Sequence, residues 1–539
     1  MREARRPHTN HYPTRQAMET FLSIHQEVVT GTLSTFDRII FKGHLLKFFP
    51  NGAFARFLSR QNVLLKDFGA YVKTTTDALK AHVEALAATA NRPLIYLAKP
   101  ATARTGNSKE DQARAIAERD GISEGLICVF SVVEPCRAFD IRRNRSTHKL
   151  EVVRAFRKCL HYYAYYLDQE FGFMHVRLQS WFPFEIQVYL NGREWLAHQL
   201  DQRGIAYQRY DNKLTQIADL KTAQALCETF AHRKWPRLLD TWAKRVNPHL
   251  PLLRTAGCPG YYWVVDQAEY ATDVFFRDRA SLETLVPALV ALAATAFSAE
   301  DVLRFLGRKP HGNFQGEVFT DLKRRPEGWR VKHVLKRNSI KWYDPANILR
   351  IETTINNPRE FRVLRVRDTP HGKQRRWLPM GKGVANFWRY AQVGFQSNAR
   401  YLDAVAHAQP VGKAIADLDR LCQPRTKQGK RYARFQPVAA EDGQLFAAAL
   451  RGEHVLNGFR NKDLVAHLYP TPARTRAERR QHSARCSRLL AKLRGHGLIA
   501  KVKDQRLYRV TEHGQRLMTA AVWCRNKEFP AAVAQPVAA

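Results

Sequence analysis

The stretch NSIKWYDPANILRIETTIN, Asn338 to Asn356, sets a tyrosine, an aspartate and a glutamate on what its alternation predicts to be two short strands around a turn at Asp344-Pro345. Tyr343 has a hydroxyl able to attack an electrophile, and Asp344 and Glu352 have the carboxylates to hold a metal ion beside it. The same residues also make an ordinary β-hairpin with a polar rim, because tyrosine and tryptophan are common in strands. LRIETTINN is then an edge strand whose Arg350 and Glu352 pair on its solvent face. About 70 residues upstream, VVDQAEYATDVFF carries Glu269 and Asp273. Every second side chain of a strand shares a face, so Glu269 with Asp273, and Arg350 with Glu352, are same-face pairs. Carboxylates on adjacent strands of one sheet can converge on an ion in this way; the spacing permits a site without requiring one.

The elements that must carry these residues follow an α+β, multidomain pattern: two mixed α/β-sheet units and then a C-terminal helical module. Residues 1–29 read as a basic N-terminal arm. Residues 30–205 read as the first α+β unit. In it, GTLSTFDRIIFKGHL reads as a strand pair, PLIYLAK as a buried strand, EGLICVFSVVE and AFDIRR as two further strands, and the aromatic segment from Cys159 as two or three strands before a helix entered at Asn191-Gly192. Residues 206–254 form a helical connector rich in Lys, Arg and Trp. Residues 255–400 form the second α+β unit, which holds the candidate catalytic sheet. Residues 401–440 read as a basic linker without helical or strand period, 441–525 as the C-terminal module, and 526–539 as a tail.

A chain of 539 residues exceeds one ordinary core, and 45% hydrophobic residues suffice to fold several. Lys plus Arg number 87 against 49 Asp plus Glu, a formal net charge of +38. Charge of this size repels itself unless an anion neutralises it, and for a cytosolic protein a polynucleotide is the usual one. DNA is the partner expected first and RNA the alternative; a basic proteome with solvated surface charge is the bland explanation. The eight cysteines are scattered without a CxxC pair, so reduced and buried thiols are expected. The start, MREARRPHTNHYPTRQ, lacks the apolar core of a signal peptide. The longest apolar run, LVPALVALAATAF, has about 13 residues, short of the roughly 18 that span a bilayer. The expectation is a cytoplasmic, nucleoid-associated protein without a membrane partner. No GxxxxGK[ST] loop points to an ATP-driven motor, and nothing in the sequence gives the oligomeric state.

In the C-terminal module, LFAAALRG and NKDLVAHLYP read as two short helices, the second capped by Asn461. RTRAERRQHSARCSRLLAKLRGHG reads as a longer one with Leu489, Leu490 and Leu493 facing inward, and LIAKVKDQRLYRVTEHGQRL as two strands and a last helix. This arrangement, with its LRxHGLI and YRVTxxG stretches, resembles the winged helix-turn-helix domains of bacterial regulators. The resemblance implies that the helix bearing Arg479, Arg480, His482, Arg485 and Arg488 enters a major groove, with Lys503 and Arg506 on the wing near phosphates. A winged helix used for protein contacts is the alternative.

Residues 260–360 resemble the initiators of rolling-circle replication of phages and plasmids, in which a strand with two spaced acidic residues precedes a YDK…RxE strand pair. The chain departs at Pro345, where the family has lysine. The resemblance implies that Tyr343 is a nucleophile forming a phosphotyrosyl link and that Glu269, Asp273, Asp344 and Glu352 hold a divalent cation, Mg²⁺ or Mn²⁺, which polarises the phosphate. Together the two resemblances imply a DNA-binding protein of a mobile genetic element, plasmid or phage, acting as a replication initiator or a transposase-like nicking enzyme. The alternative is a non-catalytic winged-helix regulator or an RNA-binding protein. Asp37, Glu134 and Asp140 form a second possible acidic cluster, weighed against surface ion pairs with neighbouring arginines. HYYAYYLD is a possible stacking platform for unpaired bases, weighed against a core strand.

Overall fold

The computed structural model describes residues 18–528 apart from 99–107, 211, 256, 296, 309–317, 326–327, 370–371, 407–418, 438, 453, 455–457 and 503–504. Most of the expected N-terminal arm, Lys503 of the expected wing and the first part of the expected linker lie outside these residues. The chain is a mixed α/β protein of two compact units, each assembled from separate chain segments: Leu33–Tyr270 with Thr354–Ala391, and the chain up to Thr32 with Ala271–Thr353 and everything from Gln392 on.

The first of these units is built on β1 (Val29–His44), β2 (Leu94–Leu97), β3 (Gly125–Arg143), β4 (Leu150–Asp168), β5 (Gly172–Gln179) and β6 (Ile186–Asn191), in the order β1-β6-β5-β4-β3-β2. Neighbours run antiparallel except β2 and β3, which are parallel. β1 is a single 16-residue strand and not the expected pair. EGLICVFSVVE and AFDIRR likewise join into one strand through Pro135. Proline is tolerated there because, among the described residues, β2 covers β3 only from Val129 to Val132 and no partner strand meets the missing N–H. β2 itself is half-buried at the sheet edge, not a buried strand. The segment HYYAYYLD lies on β4, between β3 and β5, and Tyr162, Tyr163, Tyr165 and Tyr166 are all buried. That burial removes the stacking platform: the rings fill the core. The helix after β6, α1 (Gly192–Asp201), starts where the sequence predicts, with the Asn191 side chain accepting from the N–H groups of Arg193 and Glu194. A short hairpin, β7 (Tyr207–Tyr210) and β8 (Lys213–Ile217), precedes the helices of the connector.

The second unit contains β10 (Val318–Arg325), β11 (Gly328–Leu335), β12 (Asn338–Tyr343) and β13 (Ile348–Ile355), in the order β10-β11-β12-β13 and then β9 (Tyr262–Phe276), of which Ala271–Phe276 belongs here. The two strands around the Asp344-Pro345 turn form as the sequence predicts. The edge-strand reading fails: β13 lies between β12 and β9, and all eight of its residues are buried. A separate hairpin, β14 (Arg362–Thr369) with β15 (Gly372–Pro379), follows and belongs to the first unit. It leads into α2 (Phe387–Val405), which runs past the expected unit boundary at residue 400.

The C-terminal stretch holds β16 (Arg425–Lys427), β17 (Lys430–Tyr432), α3 (Ala440–Ala449), α4 (Asn461–Leu468), α5 (Arg476–Gly495), β18 (Ile499–Lys501), β19 (Tyr508–Val510) and α6 (Glu512–Trp523). Its core joins Phe446, Phe459, Leu464, Leu490, Leu493 and Leu517, and Leu421 and Phe435 of the expected linker are buried in the same cluster. The region is therefore not a bare connection ahead of an independent module. A fragment cut near Gln444 is expected to fail to fold, while one beginning near Asp419 folds. Phe435→Ala in the full chain should cost about 3 to 5 kcal/mol, as full truncation of a buried phenylalanine does. Urea denaturation checks both; a folded fragment from Gln444 would refute the assignment of Phe435 to this core. Gly514 of the YRVTxxG stretch has a local reason as well: a Cβ there would overlap the Leu498 carbonyl oxygen.

Candidate functional sites

Five residues of β9, β12 and β13 meet in a buried polar network of the second unit. Arg350 donates from Nε to Asp273 Oδ1 at 2.6 Å and from Nη2 to Asp273 Oδ2 at 3.0 Å, a two-pronged pair in which neither residue exceeds 1% exposure. Its third nitrogen, Nη1, donates to the Tyr343 hydroxyl oxygen at 3.3 Å. That hydroxyl in turn donates to Glu352 Oε2 at 3.1 Å, and Lys341 Nζ lies 2.6 Å from Glu352 Oε1. Two carboxylates thus face two cations, so the desolvated charges balance within the network. Chemically, Tyr343 has a carboxylate placed to take its proton and a guanidinium placed to stabilise the phenolate oxygen, the arrangement a tyrosine nucleophile needs.

Asp344 does not join this network. It is fully buried, and it accepts from the Trp329 N–H at 2.5 Å and from Arg279 Nη2 at 3.0 Å. Burial holds its carboxyl above the usual carboxylate range, against the lowering by the Trp329 N–H and Arg279. Gly328 is required beside it: φ is +138°, and a Cβ would overlap the Asp344 carboxylate. Asp344 is thus a clamp for the turn, closing it onto β11 and Arg279.

Of the four expected metal ligands, Glu269 belongs to the first unit and Glu352 to the second, while Asp273 and Asp344 are taken up by Arg350 and Arg279. Asp37, in the first unit, accepts from Asn212 Nδ2 at 2.6 Å and lies 3.8 Å from Arg193. The other acidic residues weighed with it go elsewhere: Asp140 pairs with Arg157 and Arg142, and Glu134 takes Lys109, Arg177 and the Tyr163 hydroxyl. Lys341 and Arg279 were missed from the sequence. Lys341 had a visible signal, since it shares a strand face with Tyr343; Arg279 had none.

The second candidate is α5. Cys486, Leu490 and Leu493 bury one face, while Arg476, Arg479, Arg480, Arg485, Arg488 and Arg494 stand exposed, and Glu478 is the helix's only acid. Arg485 reaches Glu441 at 3.3 Å in a solvated pair. His482 is not directed outward with the arginines: its ring stacks on Tyr469 at 3.8 Å with planes 6° apart. Asn461 is not the cap of α4; Arg460 holds that place, and Asn461 donates to the Ser483 carbonyl oxygen and Ser487 Oγ, tying α4 to α5. After α5, β18 pairs with β19, and Phe459 bridges to Tyr508 as a third short strand position. Arg506 is exposed near the tip of this hairpin.

No helix among the described residues is long and apolar enough to cross a membrane. No family model, curated protein or solved structure matches this chain.

Proposed function

We propose that this protein binds duplex DNA through its C-terminal stretch, with α5 in the major groove in the manner of a winged helix-turn-helix domain and the β18–β19 hairpin beside the phosphates. The observation that carries the proposal is α5 itself: one apolar face buried, six arginines on the remainder, and a single acid. The helix order and the Phe459–Tyr508 bridge support the winged-helix form, and the net charge of +38 supports a polyanionic partner. Arg479, Arg480 and Arg488 are the candidate base readers, while His482 supports the helix through Tyr469.

Binding should weaken by orders of magnitude between about 50 and 200 mM salt if several phosphates are neutralised. Arg488→Ala should cost about 1 to 3 kcal/mol on a preferred duplex if it reads a base edge. Fluorescence anisotropy titrations at several salt concentrations check both. Salt-independent binding, or wild-type affinity in Arg479→Ala, Arg480→Ala and Arg488→Ala alike, would sink the proposal and leave α5 as a protein-contact surface.

A second activity is favoured by the Tyr343 network. We propose that the chain nicks DNA in the service of a mobile element, plasmid or phage: Glu352 accepts the phenol proton, the Tyr343 oxygen bonds to phosphorus, and the leaving sugar oxygen takes a proton to become a free hydroxyl. Mg²⁺ or Mn²⁺ is the cofactor in this reading, with Glu352 its expected ligand beside Tyr343 and phosphate polarisation its contribution. Asp273 and Asp344 are committed to Arg350 and Arg279 and are withdrawn as ligands.

A further inference from the structure

Among the described residues, the hairpin of β14 and β15 forms a two-stranded sheet of its own, hydrogen-bonded to no other strand. Its register sets Leu364 opposite Trp377, Arg365 opposite Arg376, Val366 opposite Arg375 and Arg367 opposite Gln374. Directly opposed residues share a face, so Leu364, Val366, Trp377 and Arg375 lie on one side and Arg365, Arg367 and Arg376 on the other. Val366 is 60% and Trp377 61% exposed, far above what a covered sheet face shows. Along both strands six Lys and Arg residues meet one acid, Asp368.

This charge is not balanced from within. Arg365 and Arg376 are like charges directly opposed, an arrangement that destabilises a hairpin by itself. Arg376 donates to the neutral Gln374 Oε1, and no carboxylate pairs with Arg365, Arg367, Arg375 or Arg376 among the described residues. Arg389 of α2 adds a cation at the base, donating to the Leu364 carbonyl oxygen at 3.2 Å; burial, and then Arg365, push its pKa down. An external polyanion is the species that would relieve this repulsion.

We propose that the β14–β15 ribbon inserts into the major groove of duplex DNA as a second contact of this protein, separate from α5. Two features select that partner. A two-stranded ribbon, with strands about 4.8 Å apart, is of a width that a groove about 12 Å wide admits. A groove has phosphate walls on both sides, and here cations project from both faces. A single strand laid on Trp377, or an anionic membrane beneath an apolar face, would call for cations on one side only. The proposal rests on the protein being a duplex binder but not on α5 being the reader.

The test uses the full chain with Arg365, Arg367, Arg375 and Arg376 replaced by alanine, on a mixed-sequence duplex of about 40 base pairs. The slope of log affinity against log salt should shrink by about 3 to 4, nearly one for each phosphate that is no longer neutralised, and affinity at about 0.1 M salt should fall at least about tenfold. On a duplex whose pyrimidines carry bulky C5 groups filling the major groove, the same substitution should make no further difference. An unchanged melting temperature verifies the fold, and Trp377→Ala, which alters no charge, should leave the slope intact. A wild-type slope in the four-arginine variant while Arg488→Ala is weakened overturns the ribbon and leaves α5. The reverse result supports the ribbon and overturns α5. A slope change that persists on the C5-filled duplex overturns the groove assignment. Binding to anionic vesicles but to no duplex overturns both DNA contacts.

Discussion

Arg350→Met should destabilise the second unit by about 3 to 5 kcal/mol, among the largest costs expected of any single change in the chain, because it strands the Asp273 carboxylate in a fully buried site. Methionine keeps much of the side-chain volume, so the loss reports charge and hydrogen bonding and not a cavity. The companion experiment is Arg350→Met with Asp273→Leu. Removing both charges eliminates the uncompensated carboxylate, and paired apolar replacements of buried ion pairs are often close to neutral. The double variant should therefore recover most of the loss, less what Tyr343 loses with the Arg350 donor. Urea denaturation followed by fluorescence measures all three. A single-variant cost below about 1 kcal/mol would mean that water reaches Asp273 and that the network is open.

Tyr343→Phe should abolish covalent protein–DNA adducts altogether while leaving DNA affinity within about twofold, since the substitution removes one oxygen and nothing on α5 or the ribbon. The assay is incubation with Mg²⁺ or Mn²⁺ and single-stranded DNA, then denaturing electrophoresis of labelled DNA. A phosphotyrosyl link conserves the energy of the broken phosphodiester and survives denaturation. Glu352→Gln should lower adduct yield strongly, because an amide neither accepts the phenol proton nor binds a hard cation well. Adducts at the wild-type rate in Tyr343→Phe would place the nucleophile elsewhere. No adduct from the wild type, on DNA it binds tightly, would favour a regulator or an RNA-binding protein, and the Tyr343 network would then be a structural one.

Local pattern carried much of this fold. The alternation in SIKWYD and ILRIETTIN located β12 and β13, and Asn191-Gly192 located the start of α1. Leu490 and Leu493 identified the buried face of α5. What local pattern lacks is pairing between distant residues. Asp273 and Arg350 are separated by 77 positions, and nothing around either one announces the other, so Asp273 read as a metal ligand when its oxygens were already occupied. Asp344 failed similarly, because its partners Trp329 and Arg279 approach from separate elements. Burial was the other blind spot. A strand with an arginine and a glutamate at even spacing looks like a solvent face, yet β13 is interior because the two charges are neutralised across strands. The segment around Leu421 and Phe435 is basic and aperiodic, yet these two apolar side chains are buried in the C-terminal core.

Trp377 has an optical consequence. Of the ten tryptophans it alone is exposed, and its neighbours Arg375 and Arg376 enrich small anions around it. Iodide, an anionic quencher that acts on contact, should therefore extinguish one component of the intrinsic emission selectively, while the neutral quencher acrylamide discriminates less. A partner laid over the ribbon would shield that component and leave the remaining emission unchanged, so the occupancy of this one hairpin can be followed in solution without attaching a label.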